Sequence, residues 1–149
     1  MKNMASAELK DIIEYYDEAE VSYRDVWHLD TCLALHYGFW EKDVKNLKQA
    51  LLKENEVLAE MLGIKAEHVV LDAGCGVGGS SIFLSKHIGC QTFGVTVSPP
   101  QKQKADIAAE KHGVSDLTSF SVTNYNSTHF KDNTFDVIIS IDWFSHIPK

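Results

Sequence analysis

The sequence predicts an α/β fold: a parallel sheet with helices on both faces, preceded by an N-terminal helical, aromatic-rich lid segment. Three observations carry this. Short apolar runs at residues 69–72, 91–97, 117–123 and 135–141 alternate with helical patterns, and strands that alternate with helices form parallel sheets. The first run stops at Asp72 and is followed by four glycines in six positions, Gly74, Gly76, Gly78 and Gly79. That reads as a buried strand, a tight turn that a ligand can approach, and a helix start. The last run, 135–141, is almost continuously apolar, which suits a strand buried on both faces.

Composition narrows the class. A chain of 149 residues fits one domain. A net charge of -7 argues against nucleic acid as the main partner, although Lys102 and Lys104 could form a local basic patch. Cys32, Cys75 and Cys90 show no metal-ligand spacing, and an odd count gives no disulfide framework. A reduced, cytoplasmic setting is the default. The polar N-terminus lacks an export signal, and no run is long enough to span a membrane.

Taken in order, residues 8–19 place Leu9, Ile12, Ile13, Tyr15 and Tyr16 among charges, as an amphipathic helix does. An aromatic stretch follows with Tyr23, Trp27, His36, Tyr37, Phe39 and Trp40, including a short helix expected at 29–35 that Gly38 interrupts. These aromatics either cap the core of a small domain or form a lid over a pocket. Residues 46–62 carry Leu47, Leu51, Leu58, Met61 and Leu62 near one stripe, with Gly63 as the stop. The helix after the glycines holds Ile82, Phe83, Leu84 and Ile88 and ends at Gly89. Ser98 is placed as N-cap, with Pro99 or Pro100 in the first turn, of a helix running to His112 and stopped by Gly113. A polar loop, 124–133, precedes the fourth strand.

In such sheets ligands bind beyond the carboxyl ends of the strands, at the switch point. The glycine turn, 96–101, Asn124–Tyr125 and 141–146 should therefore converge. The fourth strand would be an edge without lysine, proline or bulge, so it is expected to be covered by further chain, a partner chain or self-association.

Gly74, Gly76 and Gly79 satisfy G-x-G-x-x-G, the Rossmann dinucleotide fingerprint. That fingerprint asks for an acid about 20 residues on to take the ribose, and this chain has Thr96. Asp72 would crowd a pyrophosphate but suits a ligand carrying ammonium or sulfonium. The loop thus fits a cationic amino-acid nucleoside better than NAD, and an NAD-dependent oxidoreductase is the lesser alternative.

The stretch Leu71-Asp72-Ala73-Gly74-Cys75-Gly76-Val77-Gly78-Gly79 resembles the first motif of class I S-adenosylmethionine-dependent methyltransferases. His36-Tyr37-Gly38-Phe39-Trp40, Gly94-Val95-Thr96-Val97-Ser98-Pro99-Pro100-Gln101, and the stretch from Phe135 to His146 are similar to one branch of that family. The branch contains tocopherol, sterol and phosphoethanolamine methyltransferases and cyclopropane fatty-acid synthases. The likeness runs from about Tyr15 to Lys149, and four motifs in order are more specific than any one.

The resemblance implies a Rossmann-like cofactor domain over 46–149, partial at its C-terminal end, behind a lid segment at 1–45. It implies S-adenosyl-L-methionine as cofactor, with S-adenosyl-L-homocysteine as product. Tyr16, Tyr37 and Trp40 would close over the ligand. Gly74, Cys75, Gly76 and Gly78 would let the backbone approach its methionine part, and Asp72 would orient that loop. Thr96, Val97, Ser98 and Gln101 replace the usual ribose-binding acid. Asn124 would accept from the adenine amino group, Tyr125 would pack on the adenine face, and Ile141 would line the methionine end. His146 and Asp142 are the catalytic candidates, with His146 read as orienting more than as a base and Asp142 also suited to capping a helix. Cys75 is read as a packing residue, not a nucleophile.

The resemblance further implies methyl transfer to a small or lipophilic acceptor. Cyclopropane synthases place a Cys and a Glu where this chain has Tyr37 and Ser145, which weakens that reaction as a reading. The acceptor pocket in the family is built largely after the fourth strand. A cofactor-binding half-domain, inactive alone or paired with another chain, is therefore the second hypothesis.

Overall fold

The computed structural model describes residue 33, residues 37–124 and residues 128–141. Four parallel strands form one sheet: β1 (Val69–Ala73), β2 (Gln91–Thr96), β3 (Thr118–Val122) and β4 (Val137–Ile139), in the spatial order β3-β2-β1-β4. Three helices connect or precede them: α1 (Leu47–Met61), α2 (Gly79–His87) and α3 (Pro99–His112). The chain steps from β1 to β2 to β3 in one direction, then returns to the other side of β1. The switch point therefore lies between β1 and β4.

Local chemistry sets the helix ends. The Asn46 side chain accepts from the Gln49 N–H at 3.0 Å, while the Gln49 side chain reaches back to the Lys45 N–H at 2.8 Å. This reciprocal arrangement satisfies two otherwise orphaned donors. At its other end Gly63 is left-handed (φ 59°), and Gly63 and Ile64 donate to Glu60 and Ala59. α3 ends the same way at Gly113, as its stop signal predicts.

Strand register decides which side chains share a face. Val70, Asp72, Thr92, Gly94, Phe120 and Ile139 fall on one side, and all three described helices pack there. One apolar cluster joins Ala59 of α1 and Leu84 of α2 to Val70, Cys90 and Ile139. A second joins Ile82, Ala105, Ala108 and Ala109 to Cys75 and Phe120. Right-handed crossovers that advance in one direction put their helices on one face. The return to β4 crosses the other face, where Phe130 and Phe135 stack edge-on against Phe93, with ring centroids 6.2 and 5.7 Å away.

Two expectations need correction. The fourth strand is shorter than 135–141 and is not buried on both faces: Ile139 is 3% exposed but Ile138 is 64% exposed. Asp136 marks its entry, with its carboxylate accepting from the Val69 N–H at 2.8 Å. The helix expected at 29–35 does not pass unbroken through Leu33, whose φ is 54°. Leu33 instead runs its backbone past Gly79, where a Cβ would lie 2.1 Å from the Leu33 carbonyl oxygen. The remainder of 1–36 lies outside the described residues.

Packing in the sheet is close at Gly94. A Cβ there would lie 2.5 Å from the Phe120 ring and 2.8 Å from the Cys75 sulfur. Gly94→Ala is expected to lower unfolding free energy by about 1–3 kcal/mol, measured by urea denaturation. Combining it with Phe120→Leu should cost less than the sum of the two single changes, and additive losses would show that the contact is not shared.

Candidate functional site

Parallel pairing brings the carboxyl ends of the strands to one edge of the sheet. The turn after β1 is fastened there: the N–H groups of Gly74 and Cys75 both donate to the Val95 carbonyl at 2.9 Å. Gly74, Gly76 and Gly78 all have positive φ, at 92°, 55° and 84°, so the turn alternates in and out of the left-handed region that only glycine enters freely. Thr123 donates to the Thr96 carbonyl at 2.9 Å, which sets Asn124 beside the end of β2. On the other side of β1, the Ser140 hydroxyl donates to the Ala73 carbonyl at 2.9 Å and ties down the residue before Ile141.

The glycines do different work. A Cβ on Gly78 would strike the Phe120 ring at 2.7 Å and Ala105 at 3.0 Å. Its bareness thus serves close packing of the turn against β3 and α3. Among the described residues nothing lies within 4 Å of the Cβ position of Gly76, and its φ of 55° is what calls for glycine there.

Asp72 sits at the root of the turn, 3% exposed. The Ser81 hydroxyl, in the first turn of α2, donates to its carboxylate at 2.7 Å. Cys75 is buried, and burial first, then the charge of Asp72, pushes its thiol well up. Its sulfur fills the gap beside Gly94, and a protonated buried thiol is a poor nucleophile. The packing reading of Cys75 matches this geometry.

Thr96, Ser98 and Gln101 form one small network. The Thr96 hydroxyl donates to Gln101 Oε1 at 2.8 Å and accepts from the Ser98 N–H at 3.2 Å. The Ser98 hydroxyl accepts from the Gln101 N–H at 3.4 Å as the N-cap of α3. Thr96 and Ser98 are buried; Val97 is half-buried between them. No acid stands at the end of β2.

Tyr37 and Trp40 are 75% and 57% exposed, so they do not cap a core. Their segment is clipped to α1 by the Phe39 N–H, which donates to the Ala50 carbonyl at 2.9 Å, and the Trp40 indole donates to the Tyr37 carbonyl at 3.1 Å. Gly38 permits the approach, since a Cβ there would meet Ala50 at 2.6 Å. Tyr16, Tyr125, Asp142 and His146 lie outside the described residues. Among the described residues, no group of three or more His, Cys, Asp or Glu is placed to hold a metal, and no helix is long and apolar enough to cross a membrane.

Ser81 lies outside the quoted motifs, and Ser140 lies within the 135–146 stretch with no role of its own assigned from the sequence. Their hydroxyls act on Asp72, nine positions away, and Ala73, 67 positions away, and no local pattern marks a serine that faces such partners.

Comparisons with known proteins find relatives among methyltransferases. A probable chloroplastic tocopherol O-methyltransferase of Oryza sativa subsp. japonica is 30% identical over 142 residues, covering 89% of this chain and 38% of the relative. The sterol 24-C-methyltransferase of Saccharomyces cerevisiae is 30% identical over 141 residues, covering 92% and 37%. The crystal structure of the [4+2]-cyclase SpnF superimposes with a TM-score of 0.79 at 27% identity, covering 87% of this chain and 47% of that one. A geranyl diphosphate methyltransferase in complex with GPP and sinefungin shares the fold, with a TM-score of 0.77 at 24% identity over 91% of this chain and 56% of that one. The chain spans less than half the length of the two curated relatives. The rice relative is chloroplastic, so kinship fixes no compartment. The family model described as mycolic acid cyclopropane synthetase matches residues 3–149, and the chain belongs to that family.

Proposed function

We propose that this chain binds S-adenosyl-L-methionine at the carboxyl end of β1 and β2 and serves methyl transfer to a small, lipophilic acceptor. The observation that carries the reading is Gly76: left-handed at φ 55°, with open space where a side chain would stand, in a turn pinned to β2 and rooted on a buried carboxylate. The residues present fit that cofactor. Nothing at the end of β2 supplies the acid a dinucleotide fold uses for ribose, and the preformed Thr96–Ser98–Gln101 network stands in its place. The relatives named for tocopherol, sterol and geranyl diphosphate methylation favour a lipophilic acceptor for this family member.

When bound, the cofactor supplies a methyl group on an already positively charged sulfur. The protein then has to bind, orient and exclude water. The glycine turn offers backbone at close range, while Asp72 holds the turn from beneath through Ser81. Thr96 fixes the Gln101 amide by donating to its oxygen, which leaves the amide nitrogen to act as a donor in this reading. In this reading the exposed rings of Tyr37 and Trp40 belong to the segment that closes on a cation. Residues 1–45 act as the lid segment in this reading, and 46–149 as the cofactor domain. His146 and Asp142 take the acceptor side.

Calorimetry with S-adenosylmethionine tests the binding step. Gly76→Val is expected to abolish binding while the fold is retained by circular dichroism, because the side chain fills the open space. Unchanged affinity would place the ligand elsewhere. S-adenosylmethionine should raise the melting temperature of the unaltered chain, and a rise with NADH instead would return the dinucleotide reading. Cys75→Ala should bind the cofactor within a few-fold of the unaltered chain, since a thiol that stays protonated has no covalent part. Loss of binding in a folded Cys75→Ala would overturn that assignment.

A further inference from the structure

We propose that Ser140 is a positioning residue for the amino-acid end of the cofactor: its hydroxyl carries the β1–β4 pairing one residue past the ladder and holds Ile141 beside the glycine turn before the ligand arrives. The inference rests on the S-adenosylmethionine reading above.

Strand order sets which part of an elongated ligand meets which strand end. Along the sheet β3-β2-β1-β4, Asn124 follows β3, the Thr96–Ser98–Gln101 network closes β2, the glycine turn follows β1 and Ile141 follows β4. A nucleoside with its ribose at the β2 network and its base toward β3 sends its remaining part across β1 toward β4. That part is the amino acid, and the β1–β4 crevice is the switch point of the sheet.

The two sides of β1 are fastened differently at this end. Toward β2 the ladder runs through the Ala73–Val95 pair, and the Val95 carbonyl then accepts from both Gly74 and Cys75 at 2.9 Å. Toward β4 the ladder stops at the Asp72–Ile139 pair. One residue further, the Ser140 hydroxyl donates to the Ala73 carbonyl at 2.9 Å. Ala73 is the last residue of β1, directly before Gly74, and Ser140 directly precedes Ile141. A single side-chain bond thus sets the spacing between the start of the glycine turn and the chain leaving β4. Both residues are half-buried, so the bond is partly shielded from competing water.

This spacing matters to the ligand through entropy. Backbone that is ordered beforehand does not have to be ordered on binding. An alanine at 140 keeps the strand but frees the residues after Ile139 to drift from β1, and only the part of the ligand lying over that crevice feels the change. Ser85 supplies a control. It is 2% exposed, and its hydroxyl donates to the Cys90 carbonyl and pairs with Thr92, each at 3.0 Å, in bonds that do not involve the glycine turn or β4. Its loss removes a buried hydroxyl of the same kind without touching the crevice.

The test compares two ligands by calorimetry on the 149-residue chain: S-adenosylhomocysteine, and 5′-methylthioadenosine, which keeps adenine, ribose and sulfur but lacks the amino acid. The unaltered chain is set beside Ser140→Ala, Ser140→Thr and Ser85→Ala. Ser140→Ala is expected to bind S-adenosylhomocysteine about tenfold more weakly and methylthioadenosine within about twofold of the unaltered chain. Ser140→Thr, which keeps the hydroxyl, should restore the first affinity. Ser85→Ala should lower the melting temperature and leave both affinities in place. Should Ser140→Ala fail to fold, Ser140→Cys keeps the volume but donates weakly, and the same split between ligands is expected. Should methylthioadenosine not bind the unaltered chain, the contrast between Ser140→Ala and Ser85→Ala on S-adenosylhomocysteine decides. Unchanged S-adenosylhomocysteine affinity in Ser140→Ala, equal weakening of both ligands, or equal weakening by Ser85→Ala overturns the role of Ser140 alone. Failure of the unaltered chain to bind S-adenosylhomocysteine overturns the cofactor reading and this role with it.

Discussion

Pairing of β1 on both sides is the constraint from which the site follows. With β2 along one edge and β4 along the other, Val70, Leu71 and Asp72 are paired on both sides and buried, the charged residue included. Asp72 is carried to the end of the central strand and cannot turn to water. One donor to it comes from α2, through the Ser81 hydroxyl. The glycine turn is then the short link between a rigid strand and a helix whose start is fixed by that donor.

Small residues here set shape in two directions. Phe120 lies on an edge strand, and its ring reaches across the bare Cα of Gly94 to touch Gly78. Cys75 fills the same space from the turn. Bulk at Phe120 and absence of bulk at Gly78 and Gly94 are thus one contact seen from two sides. Gly76 differs, since nothing within the fold crowds it. Counting glycines merges these roles, and only the position of a missing Cβ shows which glycines the packing requires.

Kinship with a family that includes methyltransferases and structural likeness to a [4+2]-cyclase show how far a fold constrains chemistry. The fold supplies a cofactor edge, and side chains beyond the strand ends choose the reaction. In this chain the described residues build the cofactor edge in detail. The Thr96–Ser98–Gln101 network illustrates the economy of that edge: one cap, one hydroxyl and one amide organise the end of β2 and the start of α3 together.

The residues alone determined the strand–helix alternation, the parallel sheet and the glycine turn after β1. They also set the stops at Gly63 and Gly113 and the cap at Ser98, because period, cap and turn chemistry are local properties written within a few positions. The tertiary structure decided the rest. It put the described helices on one face, exposed Ile138, turned Leu33 out of a helix, and divided the glycines between packing and access. It also brought Ser81 to Asp72 and Ser140 to Ala73. These outcomes depend on which strands become neighbours. That choice is made by pairing and crossover handedness over the whole sheet, and no short stretch of residues carries it.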